Sequence, residues 1–249
     1  MPLAYKALFL DLSGVIYEGN QTIPGAVEAV VRAREKGLAL RFITNTASQS
    51  SRDLLRRLRS MGLSLQDSEL FTAPLAAKAY ILEHRLRPLC IVNDAVQEDL
   101  ADLDSDDPNC VLLGDARDGL NYRNLNRAFR LCRNGAPLIG IGMNKYFKDD
   151  EGLMLDAGPF IRALEWAADV TAVIMGKPSQ AFFDQVRATT GLSPEQCLMV
   201  GDDVAGDVEG AVKAGLQGCL VRTGKFLPED EQRLPAGAQV VDSLADLFY

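Results

Sequence analysis

The stretch LFLDLSGVIYEG, residues 8–19, gives the first clue to the fold. It is an apolar run, typical of a buried strand, that ends on Asp11 and is soon followed by Ser13 and Gly14. In open parallel sheets, ligands bind outside the carboxyl ends of the strands. The stretch therefore predicts a buried strand that places a carboxylate at the ligand-binding edge of such a sheet.

Strand and helix patterns alternate in both terminal parts of the chain. Near the N-terminus, KALFLD (residues 6–11) and LALRFITNT (38–46) are typical of strands, and a helical pattern with an apolar face follows each. Near the C-terminus, TAVIMG (171–176) and CLMVGDD (197–203) are followed by helical patterns in the same way. This alternation predicts an α/β fold with a Rossmann-like parallel sheet.

The middle of the chain is less regular and predicts a second domain. Helical and strand patterns occur there too, but the acidic run EDLADLDSDDPN (98–109) interrupts them and is expected to form an exposed surface loop. We predict that residues 76–175 form an α/β domain inserted into a core made of residues 1–75 and 176–249.

Composition excludes several classes of function. The 249-residue chain has a formal net charge of −8, which disfavours binding to nucleic acids or anionic membranes, because both require a basic face. Its five cysteines lack CxxC spacing, which argues against a structural zinc site or a disulfide framework. No apolar run approaches the ~20 residues of a membrane span, and the N-terminus is too short and too little basic for a secretory signal. We expect a cytoplasmic protein.

The single histidine, His84, limits the possible chemistry further. It lies at a predicted helix end, and its neighbours do not form a nucleophile loop, which argues against Ser/His and Cys/His mechanisms. Any hydrolytic chemistry would then fall on carboxylates, lysine and hydroxyl groups.

Polar residues follow four predicted strands, which we expect to belong to one sheet. They are Asp11 and Ser13; Thr44 and Asn45; Lys177; and Asp202, Asp203 and Asp207. Clustered carboxylates repel one another unless a cation lies between them, and hard oxygen ligands favour Mg²⁺. Lys177, the Thr44 hydroxyl and backbone N–H groups around Gly14 would donate to a phosphate. An aspartate nucleophile could then cleave a phosphate ester through a covalent intermediate.

The order and spacing of these motifs resemble those of the haloacid dehalogenase (HAD) superfamily. The motifs are Asp11-Leu12-Ser13-Gly14-Val15, Thr44-Asn45, Gly176-Lys177-Pro178-Ser179, and Gly201-Asp202-Asp203 with Asp207. TNTASQS, GKPS and GDDVAGDV look like the NagD-type subfamily IIA branch, and the long insert resembles its C2 cap. The DLSGV form is similar to the group that contains phospholysine phosphohistidine inorganic pyrophosphate phosphatase.

The resemblance implies a Mg²⁺-dependent phosphatase in which Asp11 attacks phosphorus and forms an aspartyl-phosphate. The implied metal ligands are Asp11, the backbone carbonyl of Ser13 and Asp202, with Asp207 and, as a further candidate, Asp203 acting through water. The implied phosphate-binding residues are Ser13, Gly14, Thr44, Asn45 and Lys177, and Lys177 would also orient Asp11. The substrate would be a small phosphorylated metabolite, and a homodimer through the cap is expected.

Ser13 departs from the usual pattern, in which a second aspartate acts as general acid and base. Such help is typically worth ~10²–10⁴ in rate, and a serine hydroxyl is a poor acid and a poor base near neutral pH. Three alternatives stay open: an enzyme for leaving groups that need little protonation, a slow general phosphatase, and a phosphate-binding regulator without turnover.

A dinucleotide oxidoreductase is disfavoured because no GxGxxG follows the first strand. A phospho-acceptor signalling domain is disfavoured because such domains are smaller and lack the insert.

Overall fold

The computed structural model describes residues 4–149 and 152–248 of the chain. Its strands are β1 Ala7–Asp11, β2 Tyr17–Glu18, β3 Gln21–Thr22, β4 Ala39–Thr44, β5 Leu70–Thr72, β6 Pro88–Ile91, β7 Cys110–Leu113, β8 Leu138–Gly140, β9 Tyr146–Asp149, β10 Gly152–Leu155, β11 Val173–Ile174, β12 Cys197–Gly201, β13 Gln217–Val221 and β14 Gln239–Val241. Its α-helices are α1 Ala26–Glu35, α2 Ser51–Ser60, α3 Ala73–Glu83, α4 Tyr122–Arg133, α5 Ala157–Ala168, α6 Gln180–Ala188 and α7 Gly210–Lys213. None of the helices described is long and apolar enough to cross a membrane.

The chain forms two compact units. The first comprises Met1–Thr44, Leu55–Phe71 and Lys177–Tyr249, and the second comprises Asn45–Leu54 and Thr72–Gly176. These bounds differ from the predicted domain limits, which place residues 45–54 in the core.

A side-chain contact inside the second unit explains this difference. The backbone N–H and hydroxyl of Ser51 donate to the carboxylate of Asp99 at 2.9 and 2.5 Å, which ties the start of α2 to this unit. The assignment of the two units as catalytic core and cap stays a prediction.

A six-stranded sheet with the order β14-β13-β12-β1-β4-β5 forms the centre of the first unit. Strands β1 and β12 are buried along their whole length, as expected for central strands covered on both faces. They run parallel, with Leu10 opposite Val200, and β1 also runs parallel to β4, with Asp11 opposite Ile43. This register brings Asp11, Thr44 and Asp202 to the same edge of the sheet. The predicted α/β class with a Rossmann-like parallel sheet is confirmed.

The second unit has its own parallel sheet, with the order β11-β8-β7-β6, and a separate β9–β10 hairpin. Helices α4 and α5 pack on the sheet through buried residues such as Ala128, Ile161 and Leu164. Because Val173 of β11 pairs with Ile139 of β8, the prediction that all four motif-bearing strands share one sheet is wrong for β11.

The acidic run is only partly the exposed loop that was predicted. Residues Asp94–Leu100 form a 3₁₀-helix, and Asp99, Leu100 and Leu103 are buried. The acidic residues from Asp104 onward in this run are exposed. The burial of Asp99 has a physical reason, because its carboxylate accepts the two hydrogen bonds from Ser51.

Candidate active site

Three aspartates of the first unit converge at the carboxyl edge of its sheet. Asp11 ends β1, Asp202 directly follows β12, and Asp207 lies in the π-helical turn Val204–Glu209 that leads into α7. A carboxylate oxygen from each lies within 4.8 Å of those of the other two, and all three side chains are buried. Isolated π-helical turns often occur at functional sites, since they displace a side chain from its regular helical position.

Lys177 places a positive charge between two of these carboxylates. Its Nζ lies 2.5 Å from Asp11 Oδ1 and 2.6 Å from Asp207 Oδ1, and its side chain is buried. The sequence indicated this residue, but for a reason that was partly wrong. Lys177 follows β11 of the second unit's sheet, so it reaches Asp11 from the loop before α6 and not from a neighbouring core strand.

The electrostatics of the cluster are dominated by burial and by an imbalance of charge. Burial raises the pKa of Asp11, although Lys177 opposes this shift, and burial raises the pKa of Asp202 and of Asp207 to about 6 each. Burial by itself lowers the pKa of Lys177, but Asp11 and Asp207 overcome this effect and raise it above its ordinary value. The lysine is therefore charged, and its ammonium pairs with two of the three carboxylates, whereas Lys225 has the larger effect on Asp202.

This donor set fits a divalent cation such as Mg²⁺. Hard carboxylate oxygens at close range are suited to that ion, and a cation would offset the mutual repulsion that adds to the effect of burial on the aspartate pKa values. Asp202 is held in place through Oδ2, which accepts a hydrogen bond of 2.7 Å from the Lys225 N–H. Asp202 and Asp11, with the predicted Ser13 carbonyl, are the residues that would hold the ion.

Asp203 has a structural contact that the sequence did not predict. Its Oδ1 accepts a hydrogen bond of 2.9 Å from the Gly206 N–H, which caps the π-helical turn, and its own N–H donates to Asp207 Oδ2 at 3.2 Å. Asp203 thus helps to hold Asp207 in place. Its contribution to metal binding through water, like that of Asp207, stays a prediction.

The loop after Asp11 uses its backbone N–H groups differently from the prediction. The Gly14 N–H donates to the Tyr17 carbonyl at 2.8 Å, and the N–H groups of residues 15–17 all point to the Leu12 carbonyl. Within residues 4–149 and 152–248, no hydrogen-bond partner of the Ser13 N–H is found, and Ser13 is exposed. Among the described residues, the Ser13 N–H is therefore without a partner, whereas the Gly14 N–H has one.

Gly14 has a steric role instead. It adopts a left-handed conformation with φ +86°, and a Cβ there would overlap the Asp202 carboxylate. The Gly14 N–H has a partner in the Tyr17 carbonyl, and a part of Gly14 in phosphate binding stays a prediction.

The second motif is divided between the two units. Thr44 is buried at the end of β4 in the first unit, at the same sheet edge as Asp11. Asn45 belongs to the second unit, where a Cβ on Gly176 would lie 2.9 Å from its Oδ1. The binding of phosphate by Thr44 and Asn45 stays a prediction.

A segment that sequence reasoning missed completes the site. Residues Thr223, Gly224 and Lys225 follow β13, the neighbour of β12 in the sheet. The Thr223 hydroxyl donates to the Gly14 carbonyl, the Lys225 N–H binds Asp202, and a Cβ on Gly224 would overlap the Asp202 carboxylate. The available signal was Gly224, which closes the apolar run GCLVRTG (residues 218–224).

Comparisons with known proteins show which family this chain resembles. A model of the haloacid dehalogenase-like hydrolases matches residues 8–106, and a HAD-hydrolase-like model matches residues 174–247. The haloacid dehalogenase-like hydrolase domain-containing protein 2 of Rattus norvegicus is 42% identical over 92% of this chain and 88% of its own. The phospholysine phosphohistidine inorganic pyrophosphate phosphatase of Bos taurus is 40% identical over 97% of this chain and 92% of its own. The solved structure of a 4-nitrophenylphosphatase from Thermotoga maritima superposes with a TM-score of 0.87 at 28% identity, covering 98% and 96% of the two chains.

The chain therefore belongs to the haloacid dehalogenase-like hydrolase family. Within that family it is an enzyme of the phosphatase type, and its predicted place in the NagD-like subfamily IIA is confirmed. These relationships favour catalysis over the alternative of a regulator without turnover.

Proposed function

We propose that this protein is a Mg²⁺-dependent phosphatase that acts through an aspartyl-phosphate on Asp11. The observation that supports the proposal most directly is the contact of Lys177 with both Asp11 and Asp207, close to Asp202. Lys177 fixes the Asp11 carboxylate through Oδ1 and adds positive charge at the point where a phosphoryl group would arrive.

The reaction has two displacement steps. In the first, an oxygen of Asp11 attacks phosphorus, the bond from phosphorus to the leaving group breaks, and the bonding electron pair departs with that group. In the second, water attacks the aspartyl-phosphate, which frees inorganic phosphate and restores the Asp11 carboxylate, and the proton of the water passes to solvent. A bound Mg²⁺ would supply charge for the phosphoryl oxygens and a template for their orientation.

Ser13 restricts the leaving groups that this site expels well. It is exposed and offers a backbone N–H, but its hydroxyl is a poor proton donor at neutral pH. Leaving groups that need little protonation suit such a site, among them phosphate from pyrophosphate, an amine from a protonated phosphoramidate and the anion of an acidic phenol. The similarity to a named pyrophosphate phosphatase supports this class of substrate, and a slow phosphatase of wider range is the second candidate.

The substitution Asp11→Asn tests the proposal. We expect it to lower Mg²⁺-dependent phosphate release from pyrophosphate and p-nitrophenyl phosphate by roughly 10³-fold or more, since it removes the nucleophile. Asp67→Asn is a matched control, because Asp67 is exposed and pairs with Arg59. Equal phosphate release by the wild type and Asp11→Asn would contradict the assignment of the nucleophile.

The other features predicted from the sequence belong to the same proposal. They are a small phosphorylated metabolite as substrate, no nucleic-acid or membrane partner, a cytoplasmic location and a homodimer through the second unit. Light scattering of the purified protein across a concentration series tests the last of these, and a constant monomer mass would contradict it.

A further inference from the structure

An arginine on α2 contacts the short hairpin that follows the nucleophile loop. The Arg57 guanidinium lies 4.2 Å from the centre of the Tyr17 ring. It also donates to the Gly19 carbonyl and, at 3.4 Å, to Asn20 Oδ1. One side chain thus holds both the first residue and the turn of the Tyr17–Thr22 hairpin.

The hairpin needs such support from outside. Its two strands have two residues each, pairing Tyr17 with Thr22 and Glu18 with Gln21, and one further backbone hydrogen bond runs from the Ile23 N–H to the Ile16 carbonyl at 2.9 Å. An isolated two-stranded hairpin is marginally stable at best in water. The guanidinium of one arginine is suited to holding the hairpin, because it can stack on an aromatic ring and donate to a turn carbonyl at the same time.

Tyr17 is tied in turn to the backbone of the candidate active site. Its carbonyl accepts from the Gly14 N–H at 2.8 Å, and its N–H donates to the Leu12 carbonyl at 3.1 Å. These two bonds flank Ser13 on both sides. A displacement of Tyr17 therefore moves the residues that set the position of the Ser13 N–H.

The charges agree with this placement. The pKa of the Tyr17 phenol is raised mainly by burial, and the Arg57 guanidinium lowers it while the Asp11 carboxylate raises it. The phenol thus lies within the electrostatic reach of both Arg57 and the nucleophile.

We propose that Arg57 is a positioning residue for phosphoryl transfer, which holds the nucleophile loop in its reactive geometry through Tyr17 and the Tyr17–Thr22 hairpin. This inference rests on the proposed phosphatase function. Arg57 contacts neither the aspartate cluster nor Lys177 in the part of the chain described here, and it acts through the backbone of residues 12–17.

The test compares Arg57→Ala, Arg57→Lys and the control Arg59→Ala in the full-length protein. Arg59 lies on the same helix and pairs with the exposed Asp67, so the control removes an equal charge without touching the hairpin. We expect Arg57→Ala to lower kcat on p-nitrophenyl phosphate by about tenfold to 100-fold, as small misplacements of reacting groups do, with little change in KM. The kcat of Arg57→Lys should lie between those of Arg57→Ala and the wild type, because lysine keeps the charge but lacks the planar guanidinium. The control should keep wild-type kcat.

Two further measurements separate positioning from a general loss of structure. Amide hydrogen exchange of residues 14–22 should become faster in Arg57→Ala and stay unchanged in Arg59→Ala. Tyr17→Leu should reproduce the kinetic defect, and the double variant Arg57→Ala/Tyr17→Leu should be no slower than the slower single variant, since both act through one contact. If Arg57→Ala does not fold, the kcat and the amide hydrogen exchange rates of Arg57→Lys provide the test instead.

The inference is wrong if Arg57→Ala keeps the kcat of Arg59→Ala, or if the defects of Arg57→Ala and Tyr17→Leu multiply. A failure of the positioning role can be distinguished from a failure of the proposed phosphatase function. If Asp11→Asn abolishes turnover while Arg57→Ala does not lower it, only the positioning role is lost. If Asp11→Asn keeps full turnover, the phosphatase mechanism itself is wrong.

Discussion

Two sites in the first unit bury carboxylates, and they differ in how the charge is balanced. At one, the Glu69 carboxylate accepts two hydrogen bonds from Arg34, at 2.7 and 2.6 Å, and a third from the Gln66 N–H at 2.7 Å. One guanidinium meets one carboxylate there. At the candidate active site, Asp11 and Asp207 share the ammonium of Lys177, and Asp202 accepts a hydrogen bond from the Lys225 N–H.

The pKa values of the carboxylates at the two sites shift in opposite directions. Burial alone raises the pKa of Glu69, but Arg34 and the Gln66 N–H overcome it, so the pKa lies below its ordinary value. At the other site burial prevails, and the pKa values of Asp202 and Asp207 rise to about 6. Perturbed carboxylates of this kind cluster at functional sites, since a bound cation or an anionic substrate changes the balance. Deeper burial, together with fewer partners of opposite charge, distinguishes the active site from a structural ion pair.

The substitution Lys177→Met breaks the unbalanced site and should have the largest effect. It removes the group that orients Asp11, so we expect phosphate release to fall by roughly 10³-fold. It also leaves buried carboxylates without their partner, which should lower the free energy of unfolding by about 3–5 kcal/mol in the absence of divalent cations. Steady-state kinetics and urea denaturation, with and without Mg²⁺, measure the two effects. Wild-type turnover in a folded Lys177→Met variant would contradict the role assigned to this lysine.

A second prediction concerns the effect of adding a carboxylate to the candidate active site. Ser13→Asp supplies a general acid next to Asp11, and we expect turnover on alkyl phosphates to rise by about 10–100-fold relative to turnover on pyrophosphate. Ser13→Asn is the matched control, because it has a similar shape and no acid. Equal changes on both substrates would count against the leaving-group argument.

Breaking the balanced pair should change stability but leave the chemistry intact. Glu69→Gln weakens the hydrogen bonds to Arg34, and the free energy of unfolding should fall by about 1–3 kcal/mol, with kcat within about twofold of the wild type. Chemical denaturation and kinetics on the same preparation check both parts. A large loss of kcat without a loss of stability would show that Glu69 has a part in catalysis.

The sequence predicted those parts of the site that depend on local pattern. Asp11 and Asp202 end or follow buried strands, and this position is visible in the apolar runs before them. The sheet that contains β11 was predicted wrongly, because pairing of Val173 with Ile139 is a long-range contact without a local signal.

The parts that could not be predicted are contacts between distant backbone and side-chain groups. The burial of Asp99 depends on Ser51, which is 48 residues away. The role of Lys225 is carried by its backbone N–H, which every residue except proline possesses, so the side chain gives no indication of it. The hydrogen bond that occupies the Gly14 N–H likewise depends on how the loop closes on Tyr17.

The smallest expected effect is a pH dependence that the two carboxylate sites should show with opposite sign. In the folded metal-free protein, Asp202 and Asp207 take up protons near pH 6, whereas in the unfolded chain they do so near the ordinary value of 3.8. The folded state then binds more protons, so stability should increase as the pH falls from 7 to 5, by about 1 kcal/mol for each independent group.

Glu69 should act in the opposite way at lower pH. Its pKa is lowered in the folded state, so its contribution is present above the ordinary value of 4.5 and is lost as the pH falls through the folded pKa. Thermal unfolding of the metal-free protein across this pH range measures the combined effect of both sites on stability. Asp202→Asn should reduce the gain in stability between pH 7 and 5, and Glu69→Gln should leave that gain unchanged. Saturating Mg²⁺ should remove the gain as well, because a bound cation keeps the carboxylates ionised. A gain of undiminished size both in Mg²⁺ and in the Asp202→Asn variant would place its origin outside the aspartate cluster and contradict the charge imbalance at this site.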